Sequence, residues 1–255
     1  MGTLRNVAGG FGAAFAALLI LAPVKTMKDI KRDNSVGDRW VLNYVATYAN
    51  AVCMVAYTMP TKQYFLAIIN AVAVFAEFGY SCFYRHYAEG RAKTIATWAI
   101  LGELLWGAIV LAAYFSAFFG GRREDLRVKL FGTLGAVTSG AMYLAMIPDT
   151  WAVFTTHNIQ NQNILLLLTA LANCTAWTVY AIKPRDLFIQ YPNGGGIALS
   201  AIQTMVWVAV WLNNRNAAPA QQPLQNQPAA PQENQPAAPQ QNRNEQVIEL
   251  PVVLP

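Results

Sequence analysis

Residues 49–70 read ANAVCMVAYTMPTKQYFLAIIN, and residues 172–193 read ANCTAWTVYAIKPRDLFIQYPN. In each stretch an Ala-Asn pair opens the run, a tyrosine stands seven residues after that asparagine, and a second asparagine stands thirteen after the tyrosine. Asn50, Tyr57 and Asn70 thus match Asn173, Tyr180 and Asn193 at one constant offset of 123 residues. At the same offset Pro23 pairs with Met146, so the register reaches back over another apolar run. One such coincidence means little, but three in one register argue for an internal duplication. The repeats are read as residues 1–88 and 126–213, with 89–125 between them and 214–255 after them.

What is duplicated follows from composition. Of the 255 residues, 55% are hydrophobic and only 12% charged, and the mean hydropathy is +0.28. Soluble domains carry about a quarter charged residues. The apolar residues fall into seven runs, at 7–24, 40–59, 63–84, 96–119, 128–147, 164–182 and 194–212. Each is about the length a helix rising 1.5 Å per residue needs to cross a ~30 Å hydrocarbon layer. Nothing alternates with the period of a barrel strand, so the backbone has to satisfy itself within helices. The fold class expected is an all-α integral membrane protein with seven transmembrane helices. Each repeat holds three of them and 96–119 is an unpaired linker. Because three is odd, the extra crossing makes the two repeats parallel, a 3+1+3 plan with any substrate held near the midplane between the halves.

Other readings fail on particular residues. The first run, preceded by Arg5, would resemble a secretory signal, but it has a counterpart in the second half. Gly2 is not in a myristoylation motif, since Asn6 stands where Ser or Thr is required. Cys53, Cys82 and Cys174 all fall in predicted helices, and an odd count argues against a disulfide framework, so they are read as small packing residues. The +5 net charge sits mostly in short loops, which excludes a nucleic-acid surface. Around the first helix five cations (Lys25, Lys28, Lys31, Arg32, Arg39) stand on one side against Arg5 on the other. This places the N-terminus outside and the C-terminus in the cytoplasm, with the plasma membrane as the expected location. Residues 214–255 are rich in Pro, Gln, Asn and Ala and repeat NQPAAPQ at 226–232 and 234–240, which predicts a disordered tail. No triad, metal cluster or phosphate loop is visible, so the chain is not expected to be an enzyme, to bind a metal or to need a cofactor.

Several stretches together resemble the SWEET family of sugar transporters, the nodulin/saliva type. These are Leu21-Ala22-Pro23, Asn50 to Tyr57, Asn70 through Glu77 to Tyr80, Met142-Tyr143, and Trp177 to Tyr180. The run from Arg185 to Ile189, Pro192-Asn193-Gly194 and Gln203 complete the set. The family is itself a known case of the parallel-repeat design, so that part of the plan is implied by the resemblance as well as by spacing. The resemblance implies a uniporter that moves mono- or disaccharides down their gradient by rocking two triple-helix bundles. It implies that Asn70 and Asn193 hydrogen-bond the sugar across a central cavity, and a neutral carboxamide with two donors and two acceptors suits a polyol. Trp177 is the implied stacking platform, with Met54 as its repeat mate. Asn50, Asn173, Leu19 and Met142 are implied lining residues, and Tyr57, Lys62 and Asp186 an outer gate. The partners are the sugar and the bilayer, with a homo-oligomer left open and no nucleic acid.

Departures from the family pattern concern the hinges. Four prolines are usual, one near the cytoplasmic end of each of four helices. Only Pro23 is kept; Asn43, Met146 and Asn163 occupy the other positions, with Pro148 two residues beyond Met146. Asn163 precedes an apolar run and Asn43 stands at the start of one, and both are read either as N-caps or as an inner gate. Glu77 and Glu103 are the intramembrane carboxylates, the first read as a structural hydrogen-bonding group and the second as a paired or protonated packing residue. His86 and His157 are loop histidines with no assigned role. The alternatives to a sugar carrier are a seven-helix receptor, which would not predict the repeat, and a same-fold transporter of another small solute.

Overall fold

The computed structural model describes residues 2–116, 124–144, 146–159 and 162–217. The expected tail from 218 onward and the end of the linker run at 117–119 lie outside the described residues. Among the described residues the chain forms nine helical segments: α1 (Gly2–Leu21), α2 (Pro23–Asp33), α3 (Leu42–Thr58), α4 (Tyr64–Tyr87), α5 (Gly90–Phe115), α6 (Glu124–Leu144), α7 (Ile147–Thr156), α8 (Ile164–Ile182) and α9 (Leu187–Ala217). They make seven crossings, because α1–α2 and α6–α7 are each one span broken near its end. Six stretches are long and apolar enough to cross a membrane by length and composition, with Thr3–Asp33 and Glu124–Thr156 each counted whole. The seventh, α3, has 17 residues, about 25 Å at 1.5 Å each.

The breaks have a local cause. Pro23 begins α2, and the preceding turn closes by Ala22 N–H donating to Leu19 O at 3.2 Å. In the second half Met146 N–H donates to Tyr143 O at 3.0 Å, and Pro148 stands in the first turn of α7. The span therefore breaks at Met146 without a proline there, since Pro148 tolerates only a helix start. α9 begins seven residues before the apolar run at 194, because Asp186 caps it, accepting from Ile189 N–H at 3.3 Å. It also continues to Ala217, into the first residues of the expected tail.

The offset of 123 recurs in the backbone. Asn34 and His157 are left-handed caps ending α2 and α7, and Lys62 and Arg185 are left-handed residues before α4 and α9. Within each half α1, α3 and α4, or α6, α8 and α9, pack as a triple-helix bundle. Between halves α1 lies on α8 and α6 lies on α3, the same contact made twice. The linker α5 packs chiefly on α3 and α4 of the first bundle, and near its end Tyr114 meets Phe131 of α6 with ring centroids 6.1 Å apart.

Glycines bring the halves together. A Cβ added at Gly12 would lie 2.8 Å from the Trp177 ring and one at Gly9 3.1 Å from Tyr180, while their mates Gly135 and Gly132 would meet Met54 Sδ at 2.6 Å and Tyr57 at 3.0 Å. Each half thus inserts two side chains of its middle helix into the glycine face of the other half's first helix. The outer surface is apolar, with Phe75 79% and Trp98 70% exposed, as lipid-facing helices require. Glu103 on α5 is 1% exposed and hydrogen-bonded with Ser81 Oγ of α4 at 2.8 Å. It is therefore a packing group joining the linker to the first bundle, and no cation pairs with it among the described residues. Cys53 and Cys174 are buried, whereas Cys82 is exposed on α4, so only two of the three are core residues.

Candidate functional site

A cavity of about 320 Å³ lies between the bundles. The expected residues Asn70, Asn193, Trp177, Asn50, Asn173, Met54, Leu19 and Met142 all line it, contributed by α1, α3, α4, α6, α8 and α9. Helix periodicity explains the convergence. Asn50 and Met54 on α3, and Asn173 and Trp177 on α8, are four residues apart and share a face. Asn70 and Asn193 lie about two turns into α4 and α9, and each folds its Nδ2 back on its own helix. Asn70 donates to Leu66 O at 2.8 Å and Asn193 to Ile189 O at 2.9 Å. Trp177 is 4% exposed and donates its Nε1–H to Asn173 Oδ1 at 3.0 Å, which fixes the ring against Gly12.

The volume corresponds to roughly ten waters at ~30 Å³ each, close to the twelve heavy atoms of a hexose and at the low end for small-ligand pockets. The lining carries neutral amides, aromatic rings and aliphatic groups, with Glu77 the carboxylate among them. Glu77 faces the cavity, and among the described residues no side chain hydrogen-bonds it, so its reading as a hydrogen-bonded structural group is corrected. It stands two turns from Asn70 toward the other end, where Pro23, Tyr44, Thr47 and the exposed Asn43 also line the wall.

On the opposite side the cavity is sealed. Tyr57 O–H donates to Asp186 Oδ2 at 2.6 Å and Gln63 Nε2 donates to the same oxygen at 2.7 Å. Tyr57 and Gln63 belong to the first repeat and Asp186 to the second, so these bonds cross the line along which the halves would part. Phe188 packs edge-on to Tyr57 with centroids 5.6 Å apart. Tyr180, the mate of Tyr57, accepts a hydrogen bond from Arg5 Nη2 at 3.0 Å and carries that guanidinium 4.6 Å over its ring. Outside this seal Arg5, Tyr57, Gln63, Asp186 and Phe188 border a wider vestibule of about 900 Å³.

Of the three expected gate residues, the structure joins Tyr57 with Asp186 and leaves Lys62 apart. Lys62 sits in a left-handed turn with φ 53° and has no ion pair among the described residues. The neighbouring Gln63 takes the place expected of it, and the signal was available, because Gln63 is the repeat mate of Asp186. Arg5 and the hydrogen-bonding of Tyr143 were not legible, since Arg5 depends on Tyr180 of the opposite half and Tyr143 on Cys174 and Asn193 from other helices of its own. Of the hinge positions, Pro23 and Asn43 line the cavity, while Met146 borders a separate apolar crevice between α7 and α9. Asn163 does not line it either; its side chain caps α8 by accepting from Leu165 N–H at 2.9 Å. Asn43 is no cap: α3 begins at Leu42 after Val41, and Asn43 stands within the first turn.

A bundle of two parallel repeats in lipid, with a solute-sized cavity between them and a breakable seal on one side, defines the class of alternating-access membrane carriers. The chain belongs to the family described as "Sugar efflux transporter for intercellular exchange", whose model matches twice, at residues 6–92 and 129–215. Those two matches start 123 residues apart, the offset of the internal repeat. Similar proteins include Bidirectional sugar transporter SWEET4 of Oryza sativa subsp. indica, 25% identical over 86% of this chain and 85% of its own length. Bidirectional sugar transporter SWEET5 of Arabidopsis thaliana is 26% identical over 82% and 87%. A eukaryotic SWEET transporter structure at 3.7 Å resolution has the same fold, with a TM-score of 0.75 at 23% identity, covering 83% of this chain and 98% of that one.

Proposed function

We propose that the protein is a facilitative, bidirectional transporter of a neutral hexose across a membrane. The observation that carries this reading is the cavity itself, which the repeat-related Asn70 and Asn193 line from opposite bundles together with the indole of Trp177. Paired amides supply donors and acceptors to a polyol, and the indole offers an apolar face to the C–H side of a pyranose. Rocking the bundles apart at Tyr57 and Asp186 would open the cavity to the vestibule, with Pro23 and the α6–α7 break as flexing points and Asn43 at the inner mouth. The five-to-one cation bias around the first span supports an external N-terminus, so the seal faces outward and the Asn43 end faces the cytoplasm. The plasma membrane is the proposed location, with the sealed side turned outward.

Uptake of a radiolabelled sugar panel in transport-deficient cells, with and without a protonophore, tests the reading. Equilibrative glucose flux that survives the protonophore is expected; flux that vanishes with the gradient refutes it. Asn70→Ala and Asn193→Ala should each abolish flux at matched surface levels, and wild-type flux in either would return these residues to packing roles.

A further inference from the structure

Four asparagines of the cavity, Asn50, Asn70, Asn173 and Asn193, are related by the repeat, yet they do not present the same atoms. In the second half Asn173 Oδ1 accepts from Trp177 Nε1–H at 3.0 Å, and Asn193 Oδ1 accepts from the Tyr143 hydroxyl at 3.4 Å. Asn193 also gives one Nδ2 hydrogen to Ile189 O. An indole nitrogen only donates and a main-chain carbonyl only accepts, so the partners fix which way each amide points. Each carbonyl is thus engaged once already, and the groups left wholly free for a ligand on this wall are N–H.

The first half differs in its carbonyls. The mates of Trp177 and Tyr143 are Met54 and Ile20, and neither has a proton to give. Asn50 Nδ2 points at Gly135 O at 2.9 Å and at Thr138 Oγ1 and Ser139 Oγ at 2.8 Å, so its hydrogens are engaged and Oδ1 is left. Asn70 gives one hydrogen to Leu66 O and keeps the other, and among the described residues nothing donates to its Oδ1. Glu77 adds carboxyl oxygens to the same wall; Asn43 and Tyr44, donors on it, stand toward the inner mouth.

We infer that the cavity is polarised in its hydrogen bonding: the asparagine carbonyls of the first repeat receive no bond among the described residues and stand open to a donor, those of the second are already engaged once, and Tyr143 and Trp177 create the difference. A substrate then binds best with a hydroxyl proton turned to the first wall and a lone pair to the N–H groups of the second, which favours one orientation in a site whose backbone is nearly two-fold. Tyr143 is a positioning residue in this scheme. Its ring is seated by Gly196, where a Cβ would come within 2.7 Å of both the ring and Cys174 Sγ, and its hydroxyl lies 3.2 Å from that sulfur. The choice of a sugar as ligand rests on the transport reading above.

The test uses the full chain in liposomes, measuring labelled glucose exchange in competition with monodeoxy and deoxyfluoro glucoses at each hydroxyl position. Fluorine keeps a weak acceptor and removes the donor. At one or more positions both analogues should lose about tenfold, because that hydroxyl gives its proton to the first wall. At another, the fluoro sugar should compete nearly as well as glucose while the deoxy sugar loses about tenfold. Tyr143→Phe frees the Asn193 carbonyl, so it should raise KM more than it lowers kcat and narrow the fluoro–deoxy gap at the second kind of position only. Fluoro and deoxy sugars failing alike everywhere, or a pattern unmoved by Tyr143→Phe, would overturn the polarity. If the wild type carries no glucose, the sugar reading is what fails. The polarity is then judged in protein labelled with ¹⁵N-asparagine, where Tyr143→Phe should shift the Asn193 side-chain amide and an unmoved resonance refutes it.

Discussion

Replacing Tyr57 by Phe removes one oxygen from the seal and little else. The ring is 2% exposed and held edge-on to Phe188, so the packing survives and only the 2.6 Å bond to Asp186 Oδ2 is lost. A hydrogen bond to a charged group contributes about 1.5–3 kcal/mol. This one joins the two repeats, so it stabilises the sealed form and is absent once the bundles part. At 1.4 kcal/mol per factor of ten, its loss should raise the population open on the Tyr57 side by about ten- to a hundredfold. Gln63 still holds Asp186 at 2.7 Å, which favours the lower figure. A cysteine at Leu66, a buried cavity-lining position next to the seal, reports the opening in a Cys174→Ser background that keeps a hydroxyl beside Tyr143. Labelling by a membrane-impermeant thiol reagent added on the Tyr57 side should accelerate about tenfold in Tyr57→Phe, following the population. A rate unchanged within twofold, in protein that still folds and inserts, would mean that the apolar packing around Phe188 seals the carrier and the polar triad does not.

Three further outcomes follow from the packing. Gly12→Ala drives a Cβ against a rigid indole while Gly135→Ala meets a flexible thioether; the first should destabilise by about 1–3 kcal/mol and impair transport, the second by less, as read from thermal unfolding in detergent. Glu103→Gln keeps a group able to bond Ser81 and should be nearly neutral, whereas Glu103→Ala leaves a buried cavity and a lone hydroxyl and should lower the melting temperature by several degrees, a cost of about 2 kcal/mol or more. Asn163→Ala removes the α8 cap and should cost about 1 kcal/mol; combined with Asn43→Ala in a double-mutant cycle on transport rate, strict additivity would dismiss the inner-gate idea for that pair.

The sequence by itself determined whatever depends on neighbours along the chain or on duplication. Apolar run lengths set seven crossings, because lipid leaves a backbone no choice but the helix. The 123-residue offset set the parallel halves, and the shared faces of Asn50 with Met54 and Asn173 with Trp177 followed from a 3.6-residue turn. Even the unexpected seal partner Gln63 was legible, as the mate of Asp186. Only the tertiary structure decided which atoms those residues present. Whether an asparagine offers its carbonyl or its amide depends on a donor or acceptor arriving from another helix. Tyr143 reaches Asn193 from α6, and Gly135 reaches Asn50 from the opposite bundle. Arg5 meets Tyr180 across 175 residues of chain, a distance over which periodicity carries no information. Lys62 shows the same limit in reverse. Its sequence position suggested a gate cation, but its left-handed turn sets it apart from Asp186 and lets the next side chain, Gln63, bond the carboxylate.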